Sequence, residues 1–434
     1  MEQLKTIKER ALQLVAEDLE FELFYQPRKQ TIDSFSNQNK HGVSNLLQYK
    51  KSYYTYHYRL GNLDDYYADL LVPSTKYLTT FDICPYFDGF LLRVPKKTDH
   101  TQLEDIVQQR KTYEIYKEHV NWCNIIGMKN ITDLNALTKE KRSTYIKVSE
   151  ALHEKKIAKI AEQIIEKKTA RIVLLAGPSS SGKTTTSKRL SVQLAASGVR
   201  PLTLSLDNYY LTHDKTPLDE FGELDFESLY ALDLPLLNQQ LQQLIAGETI
   251  TPPIFNFKTE QREWGKPMQL KENEILVIEG IHGLNPELTA SISDDLKFKV
   301  YASALTALSL NDHNWISASD TRLLRRIIRD YKYRNYPADK TIERWPSVRR
   351  GEDKWIFPYQ ENADAMFNSS LLFELASIKR QAEPILNEVP EDSDSYPEAC
   401  RLLQLLEFVV AIPYGEIPQT SLLREFLGGS GFHY

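Results

Sequence analysis

The sequence predicts an α/β fold, a parallel sheet with helices on both faces, behind an N-terminal α+β accessory domain. Three observations predict it. From residue 171 onward short apolar runs alternate with helix-periodic segments, the pattern of parallel strands joined by crossover helices. A glycine-bounded turn follows the first of those runs and opens a helix. Residues 1 to about 135 have another texture, rich in Tyr and Phe, with runs such as SYYTYHYRL and DGFLLRVP broken by Pro, Asp and Gly. That texture reads as a small sheet with a few helices.

Three regions follow: an accessory domain over 1–135, connecting helices over 136–168, and the α/β domain over 169–434. In the connecting region Ile146, Leu152, Ile157, Ile160 and Ile164 recur at near-helical spacing with charges between them. In the third region strands are predicted at 171–176, 201–207, 274–280 and 296–303. Helices are predicted at 183–196, 234–246 and 320–334, and an acidic loop at 389–399 precedes a last helix at 401–410.

Composition excludes several function classes. The 434 residues carry 53 basic and 59 acidic side chains, a net charge of −6 that argues against a broad nucleic-acid surface. Cys84, Cys123 and Cys400 are far apart and form no CxxC, which argues against a disulfide scaffold or zinc site and fits a reducing cytoplasm. The N-terminus is charged and amphipathic, unlike a signal peptide, and no run of ~18 apolar residues appears, so no membrane partner is expected. His41, His57 and His100 are isolated, and the N-terminal region is given no catalytic role. A homo-oligomer is compatible with the sequence.

The turn is Gly177-Pro178-Ser179-Ser180-Ser181-Gly182-Lys183-Thr184, the pattern GxxxxGK[ST] with a strand before it and a helix after it. Gly177 and Gly182 let the backbone turn with no Cβ in the way. Successive N–H groups through Thr185 and the helix N-terminus then offer partial positive charge to phosphates. Lys183 adds a point charge, and the Thr184 hydroxyl is placed to ligate Mg2+. This is the P-loop NTPase arrangement, with ATP and Mg2+ as the expected cofactors.

Two acids end apolar strands beyond the loop, Asp207 in LTLSLD and Glu279 in ILVIEG. Strand C-termini in such sheets face the ligand crevice. Asp207 is assigned to the acceptor hydroxyl as base or orienting group and Glu279 to Mg2+, with the roles exchangeable or shared. Arg322, Arg325, Arg326 and Arg329 fall at i, i+3, i+4 and i+7 of one helix. Such a stripe repels itself unless something anionic faces it, so it is expected to be a lid over the transferring phosphoryl group.

The runs SLDNYY, LDFESLYALD, VIEGIHGL, DTRLLRRIIRD and VRRGEDKWIFP resemble the uridine kinase and phosphoribulokinase family. Within it the chain is similar to the long bacterial uridine kinase-like nucleoside kinases, whose N-terminal region resembles part of threonyl-tRNA synthetase, here without a TGS portion. The resemblance implies a catalytic acid-base role for Asp207, a ribose-hydroxyl ligand at Asp225 and a nucleoside-pocket residue at Tyr209. It places the four arginines near phosphates and makes Arg349 a further contact. Pyrimidine-specific members carry P-x-Tyr-x-Phe-x-x-His-x-Arg, where this chain has Pro253, Phe255, Phe257, Glu260 and Arg262. Phe255, Glu260 and Arg262 are therefore expected at the acceptor, and Glu260, an acceptor only of hydrogen bonds, favours an amine or ring N–H on the base. The leading expectation is a kinase phosphorylating a nucleoside 5′-hydroxyl. The alternatives are a kinase for another sugar-like or polyol hydroxyl, and a nucleotide-driven RNA-associated regulator.

Overall fold

The computed structural model describes residues 2–433 apart from 97, 98, 257, 258 and 260. It divides into two compact units, one of Met1–Tyr113 with Asn130–Thr132 and Ser309–Trp315, the other of Glu114–Lys129, Asp133–Leu308 and Ile316–Tyr434. Residues 114–129 and 133–135 thus belong with the α/β unit, although their texture groups them with the N-terminal region.

The α/β unit is built on five parallel strands: β1 (Ile172–Ala176), β2 (Arg200–Ser205), β3 (Glu274–Glu279), β4 (Lys297–Ser303) and β5 (Ala365–Asn368). Their spatial order is β5-β4-β1-β3-β2, all parallel. The apolar run of β1 is continuous because both faces are covered. Val173 and Leu175 join a core with Ile157, Ile160, Ile164, Leu190 and Leu194. Ile172 and Leu174 point to the opposite core, with Leu237, Leu241 and Leu276. The helical partners come from α1 (Lys139–Glu166), α2 (Lys183–Ala196) and α3 (Leu234–Ile245), and Leu276 comes from β3.

Beyond the sheet lie α4 (Ala318–Arg334), α5 (Ala338–Trp355) and α6 (Glu374–Asn387). Local chemistry sets their ends. The Ser317 side chain accepts from the Ser319 N–H at the start of α4, and Asn335 at φ 55° ends it in the left-handed region.

Three local expectations change. Strand β2 stops at Ser205, and Asp207 lies in the 3-10 turn Leu206–Tyr209 that follows. The last helix of the acidic segment is Tyr396–Glu407, beginning inside the predicted loop, because Pro397 in its first turn starts a helix rather than breaking one. Strand β5 and the hairpin of Pro253–Asn256 with Gln261–Trp264 were not expected, being four-residue strands with no distinctive apolar run.

The N-terminal unit is α+β. Its three-stranded antiparallel sheet has Tyr54–Leu60 between Glu22–Pro27 and Leu63–Asp65, and a separate hairpin pairs Asp82–Tyr86 with Gly89–Arg93. His57 is buried, stacked on Phe24 at 5.3 Å and edge-on to Phe35 at 5.6 Å, so it serves as core. Among the described residues no cluster of His, Cys, Asp or Glu could hold a metal, and no helix is long and apolar enough to cross a membrane.

The turn between β1 and α2 fits only without a side chain at its first residue. A Cβ on Gly177 would lie 1.9 Å from the Ala302 carbonyl oxygen, a backbone atom of β4. Gly177→Ala is therefore expected to destabilise the α/β unit by about 3 kcal/mol. Gly198→Ala, at φ +85° but in open space, is expected to cost about 1 kcal/mol. Urea midpoints of the two variants check the contrast.

Candidate active site

The loop after β1 is held by its carbonyl groups. Pro178 O accepts from the Lys183 ammonium at 3.0 Å and from the Ser181 N–H at 3.2 Å. Ser179 O accepts from Arg322 at 3.0 Å, and Ser180 O from Arg325 at 3.2 Å. Ser181 O accepts from the Ser369 hydroxyl. Arg322, Arg325 and Ser369 do not line the adjoining cavity, so these carbonyls face away from it. Of the loop N–H groups, that of Ser181 is taken by Pro178 O and that of Ser179 by Glu352, while the Ser179–Ser180 and Ser181–Gly182 peptides, their oxygens held behind the loop, turn theirs toward it. The first turn of α2 adds N–H groups with no carbonyl four residues back.

Both arginines are buried and paired. Arg322 forks onto Glu352 of α5, with Nη2 to Oε2 at 2.9 Å, and the same carboxylate accepts from the Ser179 N–H at 3.1 Å. Arg325 forks onto Glu374 of α6, with Nη2 to Oε2 at 2.7 Å and a further bond to Ser369 O at 3.2 Å. One turn on, Arg326 donates to the Ser179 hydroxyl at 2.8 Å, and Arg329 pairs with Asp330 at 2.8 Å. Those two reach the cavity wall.

The acids converge by strand register. Strand β3 lies between β1 and β2, with Glu279 opposite Leu175 on one side and Ser205 on the other. Leu175 is two residues before the loop and Ser205 two before Asp207. The Ser205 hydroxyl donates to Glu279 Oε1 at 2.8 Å. Burial first, and the charge of Asp207 second, push the Glu279 carboxyl up to about 7 against the pull of Lys183 and Ser205. Burial lowers the Lys183 ammonium while Glu279 and Asp207 support it.

These groups share a cavity of about 1530 Å3. Loop residues Ser179, Ser180, Gly182, Lys183 and Thr184 line it, as do Asp207 and Glu279. Elsewhere its wall is aromatic, with Tyr210, Phe226 and Phe255. Tyr210 and Phe255 meet edge to face at 6.0 Å. Glu227 lines it too, raised to about 7 by burial against the attraction of Arg326. Arg334 is brought down to about 10, first by the neighbouring charge of Arg329 and then by burial.

Residues 172–372 match the model of the phosphoribulokinase / uridine kinase family. The chain is 28% identical over 194 residues to a uridine kinase of Bacillus pumilus, covering 44% of this chain and 83% of that protein. It is 26% identical over 198 residues to a uridine kinase of Ureaplasma urealyticum, covering 45% and 87%. Among solved structures it matches a D-glycerate 3-kinase from Cryptococcus neoformans at 16% identity and a TM-score of 0.28, covering 63% of this chain and 87% of that one. Residues 172–372 are a phosphoribulokinase / uridine kinase family domain. The protein is accordingly a small-molecule kinase, a phosphotransferase with a hydroxyl acceptor.

The kinase domain rearranges several expected roles. Arg322 and Arg325 are not lid residues: carboxylates and carbonyl oxygens use their guanidinium groups behind the loop, while Arg326 and Arg329 face the cavity. Tyr209 is buried away from the cavity with its hydroxyl on Gln240 at 2.6 Å, and Tyr210 lines the wall instead. The 3-10 turn after β2 rotates the side chains by one position. Arg262 is held by Asp233 at 2.8 Å and by Tyr210 O, and Arg349 by Glu352 at 2.7 Å, so neither lines the cavity. Asp225 accepts from the Glu227 N–H at 3.2 Å in its own turn, which leaves Glu227 to face the cavity. Phe255 lines the cavity, and Glu260 lies outside the described residues.

The residues suit a polyphosphate with a divalent ion. Among the described residues the buried Ser180 Oγ and Ser181 Oγ have no hydrogen-bond partner, and Ser180 lines the cavity, where its hydroxyl suits an anion on the loop. Ser180 itself sits at φ 57°, bending the loop around that space. Glu279 and the Thr184 hydroxyl both line the cavity as oxygen ligands suited to Mg2+. Glu227 and Glu425 went unnoticed in the sequence, although an acid inside the apolar run SLLREFL is a readable signal.

Two expectations distinguish support from contact. Arg325→Ala, which strands a buried carboxylate, is expected to lower stability by about 3–5 kcal/mol. Arg329→Ala is expected to leave the denaturation midpoint nearly unchanged and to lower kcat. A further expectation concerns Glu279, whose carboxyl is raised by burial. Its stabilising contribution is complete below the unfolded value near 4.5 and is lost as pH rises through about 7. Glu279→Gln should therefore melt about 5 °C higher than wild type at pH 8, with the difference vanishing near pH 4.5. Scanning calorimetry at the two pH values tests it.

Proposed function

We propose that this kinase transfers the γ-phosphoryl group of ATP to the 5′-hydroxyl of a nucleoside. The observation that carries the proposal is one cavity holding the loop after β1, Asp207 in the turn after β2 and an aromatic wall of Tyr210, Phe226 and Phe255. The wall suits a planar base, and the relatives named above are uridine kinases.

In this reading the loop N–H groups, the Ser180 and Ser181 hydroxyls and Lys183 grip the β- and γ-phosphates. Thr184 and Glu279 would hold Mg2+, which would neutralise charge on those phosphates. Asp207 takes the proton of the acceptor hydroxyl as its oxygen bonds to phosphorus and the bond to the ADP oxygen breaks. Glu227 takes the ribose hydroxyls, the place that the family resemblance gives to Asp225. Arg326 and Arg329 balance the charge that spreads over the moving phosphoryl oxygens.

A second reading, an acceptor that is a sugar-like or polyol alcohol, is favoured by Lys340, Arg344 and Arg350 on the same wall. Lys340 pairs with Glu343 at 2.7 Å and Arg350 with Asp219 at 3.4 Å, and Arg344 lies over the Phe226 ring at 5.2 Å, a polar wall that suits an acceptor rich in hydroxyls.

Purified protein with Mg·ATP, assayed against a panel of nucleosides and sugar alcohols, separates the two. Nucleoside phosphorylation is expected; turnover of a sugar alcohol with no nucleoside turned over would replace the first reading by the second. Lys183→Ala and Asp207→Asn should each lower kcat about 100-fold or more with the melting temperature retained. A near-normal rate in Asp207→Asn removes that residue from the proton-accepting role.

A further inference from the structure

A carboxylate that the reaction as described does not use sits at the phosphate loop. Glu425 belongs to the short helical turn Arg424–Leu427 near the C-terminus. Its Oε2 accepts from the Thr185 hydroxyl at 2.7 Å and from the Thr185 N–H at 3.2 Å, in the first turn of α2. It lines the same cavity as Lys183, Glu279 and Arg329.

The placement is built rather than incidental. On either side of Glu425, Leu422 and Phe426 are fully buried in the core shared with β1 and α2. A Cβ on Gly182 would fall 2.5 Å from Leu422, so the segment packs directly on the loop. Arg424 is buried, donating to the carbonyls of Tyr414 at 3.1 Å, Pro418 at 3.3 Å and Gly428 at 3.4 Å, and also to Ile417. These contacts fix the backbone that carries Glu425.

The N–H groups that begin a helix after such a loop are its anion-binding donors. One of them, with its hydroxyl, is taken here by an anion of the protein's own. A nucleotide phosphate arriving at Thr185 must break two charge-assisted hydrogen bonds and meet a like charge. We infer that Glu425 competes with the phosphate oxygens of the nucleotide for Thr185, and so sets the affinity of the site through a rotation of its side chain. The inference rests on the ATP-dependent reading above. It makes Glu425 a positioning residue, acting on the nucleotide through Thr185.

The test is Mg·ATP binding to the full chain by calorimetry, for wild type, Glu425→Gln and Glu425→Ala. Both variants are expected to bind more tightly, with Kd about ten-fold lower in the alanine variant. Damage to the loop or loss of a merely structural contact would not tighten binding. Unchanged or weaker binding in the variants, beside normal binding by wild type, overturns the inference. A weakening that grows as Mg2+ is lowered overturns it in favour of a metal-ligand role for Glu425. Should the alanine variant fail to fold, the glutamine variant carries the same outcomes. Absence of Mg·ATP binding by wild type would instead overturn the ATP-dependent reading itself.

Discussion

Two buried arginine–carboxylate pairs, Arg322 with Glu352 and Arg325 with Glu374, fix which way the peptides of the phosphate loop point. Each guanidinium also donates to a loop carbonyl, which holds the planar Ser179–Ser180 and Ser180–Ser181 peptides in one orientation. Buried ion pairs are poor stabilisers when a hydrophobic core could replace them. Here a hydrophobic replacement would leave the Ser179 and Ser180 carbonyls without these donors and the loop peptides free to flip. The pairs therefore act through orientation more than through net stability, and they tie α4, α5 and α6 to a single turn.

The same helix serves two ends because of its periodicity. Arg322 and Arg325, three residues apart, point behind the loop, while Arg326 and Arg329, each four further on, reach the cavity. The cavity in turn concentrates opposed charges that the fold does not neutralise by itself. Glu279 is squeezed between burial and Asp207, and Arg334 is crowded by Arg329. Groups shifted in this way suit charges carried by a ligand, as does the buried Ser180 hydroxyl, which has no partner among the described residues. The strand register accounts for the meeting of the acids: a parallel sheet puts the C-terminal ends of β1, β3 and β2 side by side whatever their separation in the chain.

Local order fixed much of this in advance. The glycine spacing of the loop, the apolar runs of β1 to β4 and the helical stripe at 320–334 are features of neighbouring residues, and neighbours suffice to determine backbone turns and buried faces. Strand β5 escaped because four residues, AMFN, carry no period of their own; its pairing with β4 makes it a strand. Tyr209 and Tyr210 could not be told apart because a 3-10 turn, rather than an extended end of β2, decides which ring faces the cavity. The division of four arginines into two pairs, one structural and one facing ligand, depends on Glu352 and Glu374, which are 30 and 49 residues further along the chain from their partners. By itself the sequence determined the glycine-bounded loop, the apolar strands and the sheet that bears them, since each is written in adjacent residues. The tertiary structure alone decided which charged side chains face the cavity and which brace it, because a side chain's role follows from its partner, and those partners are distant in sequence.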